Sequence, residues 1–522
     1  NGNVRSLYAL LVISIFLVVI AWINYINLTS SRSLERTREV GMRKVSGALR
    51  KQLLVQFLLE SVLVNLVAMI LAVILVLAFN PYFNVLTGEQ LDYSLHQNAG
   101  FWAVVVIIFI FGAFLSGIYP ALFLSSFKPA TVFQGVSEQK IGGVGMRKVL
   151  VIFQFATSLL LIAGTLTVYR QISFMKKYDL GVDIENVLVL RGPSVNDSTY
   201  EETFNAFKSE LSRHPDIAMV TASTSVPGRQ PPWNAGGIRR INEGAEQSNQ
   251  YRILGVDFNF VDFYGLSILE GRNFSGDYGQ NSETVLFNES AIQLMGFEDF
   301  ASAMNVPIFF WGDTFNIVGA VKDYHQEGLK VQQEPLIFRF FRNASNFYSV
   351  KVNPENIQGA LFQVEEQWRT FFPLNPFEYF FLEDYYNEQY RNETRFGRVF
   401  SLFALLAIII ACLGLYGLSS YTTLQRTREI GIRKVMGSSS GNAVQLLVRY
   451  FLIQVLIAVP FGLGTGYYIM SVWLQNFAFR INLGWWFFVG PVLLVVLIAI
   501  LTVSSQSIKA ANVNPADSLG YE

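Results

Sequence analysis

Only one cysteine, Cys412, occurs in the 522 residues, so no disulfide closes within the chain and no CxxC metal site can form. Histidine is almost as scarce. His96, His214 and His325 stand far apart and offer nothing from which to build a His-based zinc centre. Charge is thin and balanced, with 39 Lys and Arg against 39 Asp and Glu, together 15% of the chain; a soluble globular chain carries about 25%. Nucleic-acid binding needs a basic face that replaces phosphate counterions, and this balance supplies none. Disorder requires a charge-rich, aromatic-poor composition, whereas aromatics reach 15% here. There is no GxxxxGK[ST], no HExxH and no GxSxG. Gly142-Gly143-Val144-Gly145-Met146-Arg147-Lys148 has the wrong spacing for a phosphate cradle and reads as a flexible loop. His325 beside Asp323 lacks an identifiable nucleophile and reads as a surface or turn histidine. No catalytic residue and no metal ligand is therefore expected in this chain.

What is abundant is apolar length: mean hydropathy is +0.35. A bilayer core of about 30 Å needs roughly 20 apolar residues in a helix. Seven segments meet that standard: Leu7–Leu28, Leu53–Phe79, Phe101–Leu124, Val149–Tyr169, Val399–Tyr421, Ala443–Leu474 and Trp485–Ser507. Glu60 and Arg449 are their exceptional charges, and each reads as an interfacial or helix-contact residue. Lys and Arg crowd the loops after the first, third and fifth segments and are nearly absent from Asn80–Gly100 and Gln475–Gly484. The basic loops therefore face the cytoplasm, and Arg170–Arg398 lies outside. Seven spans put Asn1 outside as well, so we expect a further N-terminal part to precede it.

The outside segment mixes strand-like runs (Asn186–Leu190, Met219–Ser225, Tyr251–Val256, Thr284–Phe287, Asn316–Val321, Tyr348–Val352) with helix-like stretches (Tyr200–Ser212, Glu289–Met295, Glu355–Phe371). Pro227-Gly228, Pro231-Pro232 and Gly236-Gly237 predict one long loop. Without regular alternation the domain is α+β. Gln171–Tyr178 and Glu383–Arg398 predict helices continuous with their spans, forming a stalk. The fold class is thus an α-helical transmembrane bundle of seven spans with an α+β extracytoplasmic domain. Its expected parts are 1–135 (three spans of a first half), 136–169 (linker and first span of a second), 170–398 (outside domain with stalk) and 399–522 (three further spans).

One motif occurs twice. Arg36–Gly47 reads RTREVGMRKVSG and Arg426–Gly437 reads RTREIGIRKVMG, identical at nine of twelve positions. Pro129-Ala130 and Pro515-Ala516 recur downstream, so the first three spans match the last three. Each copy suits a short amphipathic helix on the cytoplasmic face, with Arg38, Glu39, Arg43 and Lys44 toward solvent and Val40 and Val45 inward. Gly47 and Gly437 suit left-handed helix ends.

The motif resembles that of the FtsX/MacB family of ABC-transporter permeases, as does the layout of one span, a large outside domain and three more spans. Val226-Pro227-Gly228, Leu269-Glu270-Gly271-Arg272 and Val318-Gly319-Ala320-Val321-Lys322-Asp323 resemble signatures of the MacB-type periplasmic core domain. The resemblance implies a bacterial inner membrane and a cytosolic ABC ATPase, in two copies, that uses ATP and Mg while this chain binds no cofactor. It also implies ATPase coupling through Arg36, Arg38, Glu39, Gly41, Arg43, Lys44 and Gly47, and through Arg426, Arg428, Glu429, Gly431, Arg433, Lys434 and Gly437. The implied activity is export or efflux of a peptide, antibiotic or lipoprotein, with membrane lipid around the chain and a periplasmic or outer-membrane partner beyond it. The alternative is an FtsX-type signalling protein that activates a periplasmic partner such as a cell-wall hydrolase. An ion-coupled carrier would need paired charges at mid-membrane, which the chain lacks.

Overall fold

The computed structural model describes residues 4–32, 37–87, 99–126, 143–195, 199–276, 283–341, 344–425, 436 and 440–511. In chain order, helices α1 (Val4–Arg32), α2 (Thr37–Val45), α3 (Arg50–Thr87), α4 (Ala99–Ser126) and α5 (Gly143–Lys177) precede β1 (Val187–Arg191). Next come α6 (Tyr200–Leu211), β2 (Ile217–Ser223), β3 (Trp233–Arg240), β4 (Asn249–Val256), α7 (Phe260–Phe263), β5 (Ile268–Gly271), β6 (Thr284–Asn288) and α8 (Glu289–Leu294). They are followed by α9 (Phe300–Ala303), β7 (Pro307–Phe310), β8 (Asp313–Val321), β9 (Leu336–Phe340), β10 (Phe347–Val352), α10 (Ile357–Phe371) and β11 (Tyr379–Phe381). The chain ends with α11 (Leu382–Glu388), α12 (Arg391–Gln425), α13 (Ser440–Leu474) and α14 (Trp485–Ala511). Two units result: Asn1–Gln171 with Asn392–Leu474 and Ile481–Glu522, and Ile172–Arg391 with Gln475–Arg480.

In the first unit α1, α3, α5, α12, α13 and α14 are long and apolar enough to cross a membrane. The remaining expected span falls in α4, whose apolar stretch among the described residues, Ala99–Leu115, is shorter. Among the described residues six helices therefore qualify as spans, and the seventh is not confirmed. Gly143–Lys148, expected as a loop, is the first turn and a half of α5; its glycines sit at a helix start, where they cost little.

Small residues set the helix contacts, as is usual where lipid removes the hydrophobic drive for association. A Cβ on Gly112 of α4 would lie 2.5 Å from the Trp22 indole nitrogen of α1, and one on Gly117 would lie 2.9 Å from Ser61 of α3. Asn24 of α1 donates to the Ile410 carbonyl of α12 at 2.5 Å. A side chain on Gly414 or Gly417 of α12 would collide with Asn24 or Leu28. Around α5, Gly462 of α13 meets the Ala156 backbone, and a Cβ on Gly164 would lie 2.8 Å from Phe400 of α12.

The second unit holds one eleven-stranded sheet ordered β11-β1-β10-β2-β4-β3-β7-β8-β6-β9, with β5 on β8. Parallel pairing of β4 with β9 closes β4-β3-β7-β8-β6-β9 into a ring, leaving β11-β1-β10-β2 as an antiparallel arm. Strand alternation explains the two-sided arm. Leu188 and Leu190 of β1 pack under α6 and α10 with Phe207, Tyr348 and Trp368, while Val187 and Val189 face Val256, Phe260 and Tyr264. Ile253, Phe287, Ile317 and Ile337 fill a third core with α8. Each such burial contributes about 1.5–3 kcal/mol.

Two local expectations fail. Gly236-Gly237, predicted in a loop, lies inside β3 where the register to β4 shifts between Ala235 and Ile238. Gly237 takes φ +79° there, the left-handed conformation that glycine adopts without strain. The predicted continuous helix of Glu383–Arg398 is broken at Gln389–Tyr390, between α11 and α12. Side-chain bonds hold the break: the Tyr390 hydroxyl accepts the Leu329 N–H at 2.9 Å, and Lys330 Nζ donates to the Gln389 carbonyl at 2.8 Å.

Candidate functional site

Helix α2 is the first copy of the repeated motif. It ends in a paired-bond C-cap: the Ala48 N–H reaches the Arg43 carbonyl at 2.9 Å and the Gly47 N–H reaches the Lys44 carbonyl at 3.1 Å. Gly47 takes φ +93°, as this cap requires. Two residues later α3 begins, and Gln52 folds back so that its side-chain oxygen accepts the Leu49 N–H at 2.9 Å, half of a capping box. The turn between the helices is therefore fixed at both ends by backbone hydrogen bonds.

A polar ladder joins the two helices. Arg43 donates to Gln56 Oε1 at 2.7 Å, and Gln56 Nε2 donates to Glu60 Oε1 at 3.2 Å. Glu60 is thus bonded to Gln56 within its own helix, α3. Val40 is buried at 2% exposure; Val45, expected inward, is 68% exposed. Five residues at about 100° each leave the two valines some 140° apart, too far for one narrow face. Partial burial, and then the neighbouring Arg50, lower the Lys44 pKa. Arg43 and Met42 are exposed beside it. Arg38, Glu39 and Gly41 lie within α2. Arg36, and Arg426, Arg428, Glu429, Gly431, Arg433, Lys434 and Gly437 of the second copy, lie outside the described residues.

A second polar cluster occupies the sheet unit. His325 is buried, not on the surface, with its ring 5.3 Å from Tyr178 and 4.5 Å from Phe479. Burial lowers its pKa, against Asp323 and Asp179, which raise it. The Asp323 carboxylate is engaged by the Ser290 N–H at 3.1 Å and by its hydroxyl, so no His–Asp pair forms. Phe479 belongs to the Gln475–Arg480 loop, which is held by N–H bonds from Ala478 and Phe479 to the carbonyls of Lys330 and Leu329. Among the described residues no group of three or more His, Cys, Asp or Glu could hold a metal. Sequence reasoning missed the Arg43–Gln56–Glu60 ladder, although the i, i+4 spacing of Gln56 and Glu60 was a visible signal.

Six apolar spans, a basic turn between the first two and a folded domain inserted between spans define a multi-pass inner-membrane protein with a large periplasmic domain. The profile of the family described as FtsX-like permease C-terminal matches residues 11–129 and 401–515, the two stretches that carry the repeat. A segment of 133 residues is 32% identical to the macrolide export ATP-binding/permease protein MacB of Bdellovibrio bacteriovorus, covering 25% of this chain and 19% of that protein. Over 301 residues the chain is 24% identical to the uncharacterized ABC transporter permease YvrN of Bacillus subtilis, covering 52% of this chain and 70% of that one. The periplasmic region of MacB from Actinobacillus actinomycetemcomitans aligns over 40% of this chain and 94% of its own, at 16% identity and a TM-score of 0.29. Residues 11–129 and 401–515 are thus similar to FtsX-like permease segments, and the relatives matched are ABC-transporter permeases. The chain spans less than a fifth of the Bdellovibrio relative.

Proposed function

We propose that this chain is the permease of an ABC-type export or efflux system, driven by a separate cytosolic ATPase that engages both copies of the RTRE-G-RKV-G turn. The observation that carries this reading is α2 itself. It is a short basic helix capped at Gly47 and tied through Arg43, Gln56 and Glu60 to the membrane-spanning α3. A push on such an element reaches the span without first being lost in a floppy loop. The first copy contributes Arg36, Arg38, Glu39, Arg43 and Lys44; the second contributes Arg426, Arg428, Glu429, Arg433 and Lys434. With one docking turn per half, a single chain serves two ATPase subunits, which supply the phosphate loops, ATP and Mg. The periplasmic domain then moves the cargo, of peptide, antibiotic or lipoprotein class.

Co-purification of the full-length protein from its membrane, with and without Lys44→Glu and Lys434→Glu, tests the docking surface. Arg43 is left intact because it holds Gln56. Loss of the bound ATPase with normal membrane insertion is expected; an ATPase that stays bound refutes the assignment. Transport further predicts ATP hydrolysis stimulated by cargo in the reconstituted complex. Hydrolysis that responds instead to a cell-wall hydrolase would favour the signalling alternative.

A further inference from the structure

The hairpin between β7 and β8 turns on Trp311-Gly312, since Phe310 pairs with Asp313 across it. Trp311 takes φ +54° and Gly312 φ +93°, the two positive angles of a type I′ turn, whose first position favours asparagine. The other described non-glycine residues with positive φ are Asn186 and Asn305. A bulky indole in this conformation is strained, and such strain gathers at binding and switch sites. Trp311 nevertheless stays 46% exposed, so folding alone would be served as well by asparagine.

Beside the indole lies a cation without an acceptor. Ile337 of β9 is in the third core, and strand alternation turns Arg339 to the same side two residues further on. The Arg339 guanidinium carbon lies 4.8 Å from the ring centres of Phe315 and Phe341, 5.4 Å from that of Trp311 and 5.5 Å from that of Phe310. Gly255, its partner on β4, makes room for this wall: a Cβ there would lie 2.5 Å from the Phe341 ring. Trp233 extends the wall, its ring centre 5.3 Å from that of Phe341 and 6.0 Å from that of Trp311. A guanidinium carries five N–H donors. Among the described residues those of Arg339 form no hydrogen bond and no ion pair. Asp313, exposed at the turn, attracts the charge without pairing with it. Ring contacts engage the flat face of the group and leave its N–H edge for an acceptor.

We propose that Arg339 and the Trp311 indole form a binding site for an organic carboxylate carried on an apolar or aromatic group, as at the C-terminus of a peptide. The carboxylate takes the N–H edge of Arg339 in a two-point hydrogen bond, and the apolar group lies against Trp311, Trp233 and Phe341. The walls alone would accept any apolar group; the unpaired guanidinium selects an anion. The assignment goes beyond the transport reading and does not depend on it, because its readout is direct binding.

Calorimetric titration of the full-length protein in nanodiscs tests this with a tripeptide ending in phenylalanine, the same peptide as its C-terminal amide, and phenylacetate. The acid should bind about tenfold or more tighter than the amide, as loss of a charge-assisted hydrogen bond requires. Arg339→Gln should erase that difference. Trp311→Asn, at ease in the left-handed conformation, should keep the fold and weaken the acid several-fold. Asp313→Asn, which removes a repelling charge from an exposed turn, should tighten it. A peptide that binds better than phenylacetate identifies a peptide end as the source, and phenylacetate binding as well identifies a small aromatic acid; both carry the proposed chemistry. Equal binding of acid and amide, or binding of neither, overturns the proposal. So does full displacement by inorganic phosphate at equal concentration, an affinity unchanged in Trp311→Asn, or weaker binding in Asp313→Asn.

Discussion

Gly47→Ala isolates the cap that ends α2. Gly47 takes φ +93°, and no heavy atom lies within 4 Å of the place a Cβ would occupy. The added methyl meets no neighbour, so the cost is that of holding an L-residue in the left-handed region, about 1–2 kcal/mol. This energy acts on the closing turn. The Gly47 and Ala48 N–H groups, bonded to the Lys44 and Arg43 carbonyls, should exchange with deuterium about 5–30-fold faster, while amides in the middle of α3 are unchanged. Hydrogen exchange on the full-length protein in nanodiscs, read on peptides covering 42–50, measures this directly. Gly47→Asn should show a smaller acceleration, because asparagine visits the left-handed region more readily. Wild-type exchange in the alanine variant would refute the cap as what holds α2. Equal acceleration by alanine and asparagine would refute left-handed backbone strain as the cause.

Three further outcomes follow from the packing. Gly414→Leu should displace Asn24 and lower the Tm, and Asn24→Ala should recover part of the loss; a double-mutant cycle with no coupling energy would show that the two residues do not share one contact. Gly462→Leu drives a side chain into the α5 backbone and should cost at least the 1–3 kcal/mol or so of core overpacking, while Gly464→Leu, with open space around it, should cost far less. For His325 the folded pKa is lowered by burial, so the unfolded chain takes up the proton more readily. The stabilising contribution is fully present above the ordinary value of about 6.5 and is lost as pH falls below it toward the folded pKa. Thermal unfolding of the full chain should therefore weaken across that window, and His325→Phe should flatten the slope; an unchanged slope would remove His325 as its source.

Much of the sheet unit was legible because its strands alternate: Val187, Val189 and Leu188, Leu190 go to opposite cores, and such runs read as strands from the sequence alone. The ring was not legible. β7 and β9 are short, and β3 carries a Gly-Gly bulge that mimics a turn. Closure of the ring rests on parallel pairing of β4 with β9, a long-range contact with no local signature. The break before α12 was hidden for the same reason, since EDYYNEQYRNET contains neither proline nor glycine and the break is held by Leu329 and Lys330 from another loop. In the candidate site the repeat exposed the motif and its terminal glycine, but the motif alone leaves the connection to the span undetermined. That connection depends on Gln56 and Glu60, and neither lies in the repeated stretch. With the halves aligned on Gly47 and Gly437 or on Gln52 and Gln445, Leu446 and Tyr450 or Arg449 and Ile453, respectively, stand at their places in α13. Neither pair can form the same ladder, because no Gln–Glu chain remains to accept an arginine and pass the bond along the helix. The repeat therefore preserves the basic motif while the residues at the places of Gln56 and Glu60 differ between halves, and Gln56→Ala should loosen α2 in the first half without an equivalent residue to test in the second.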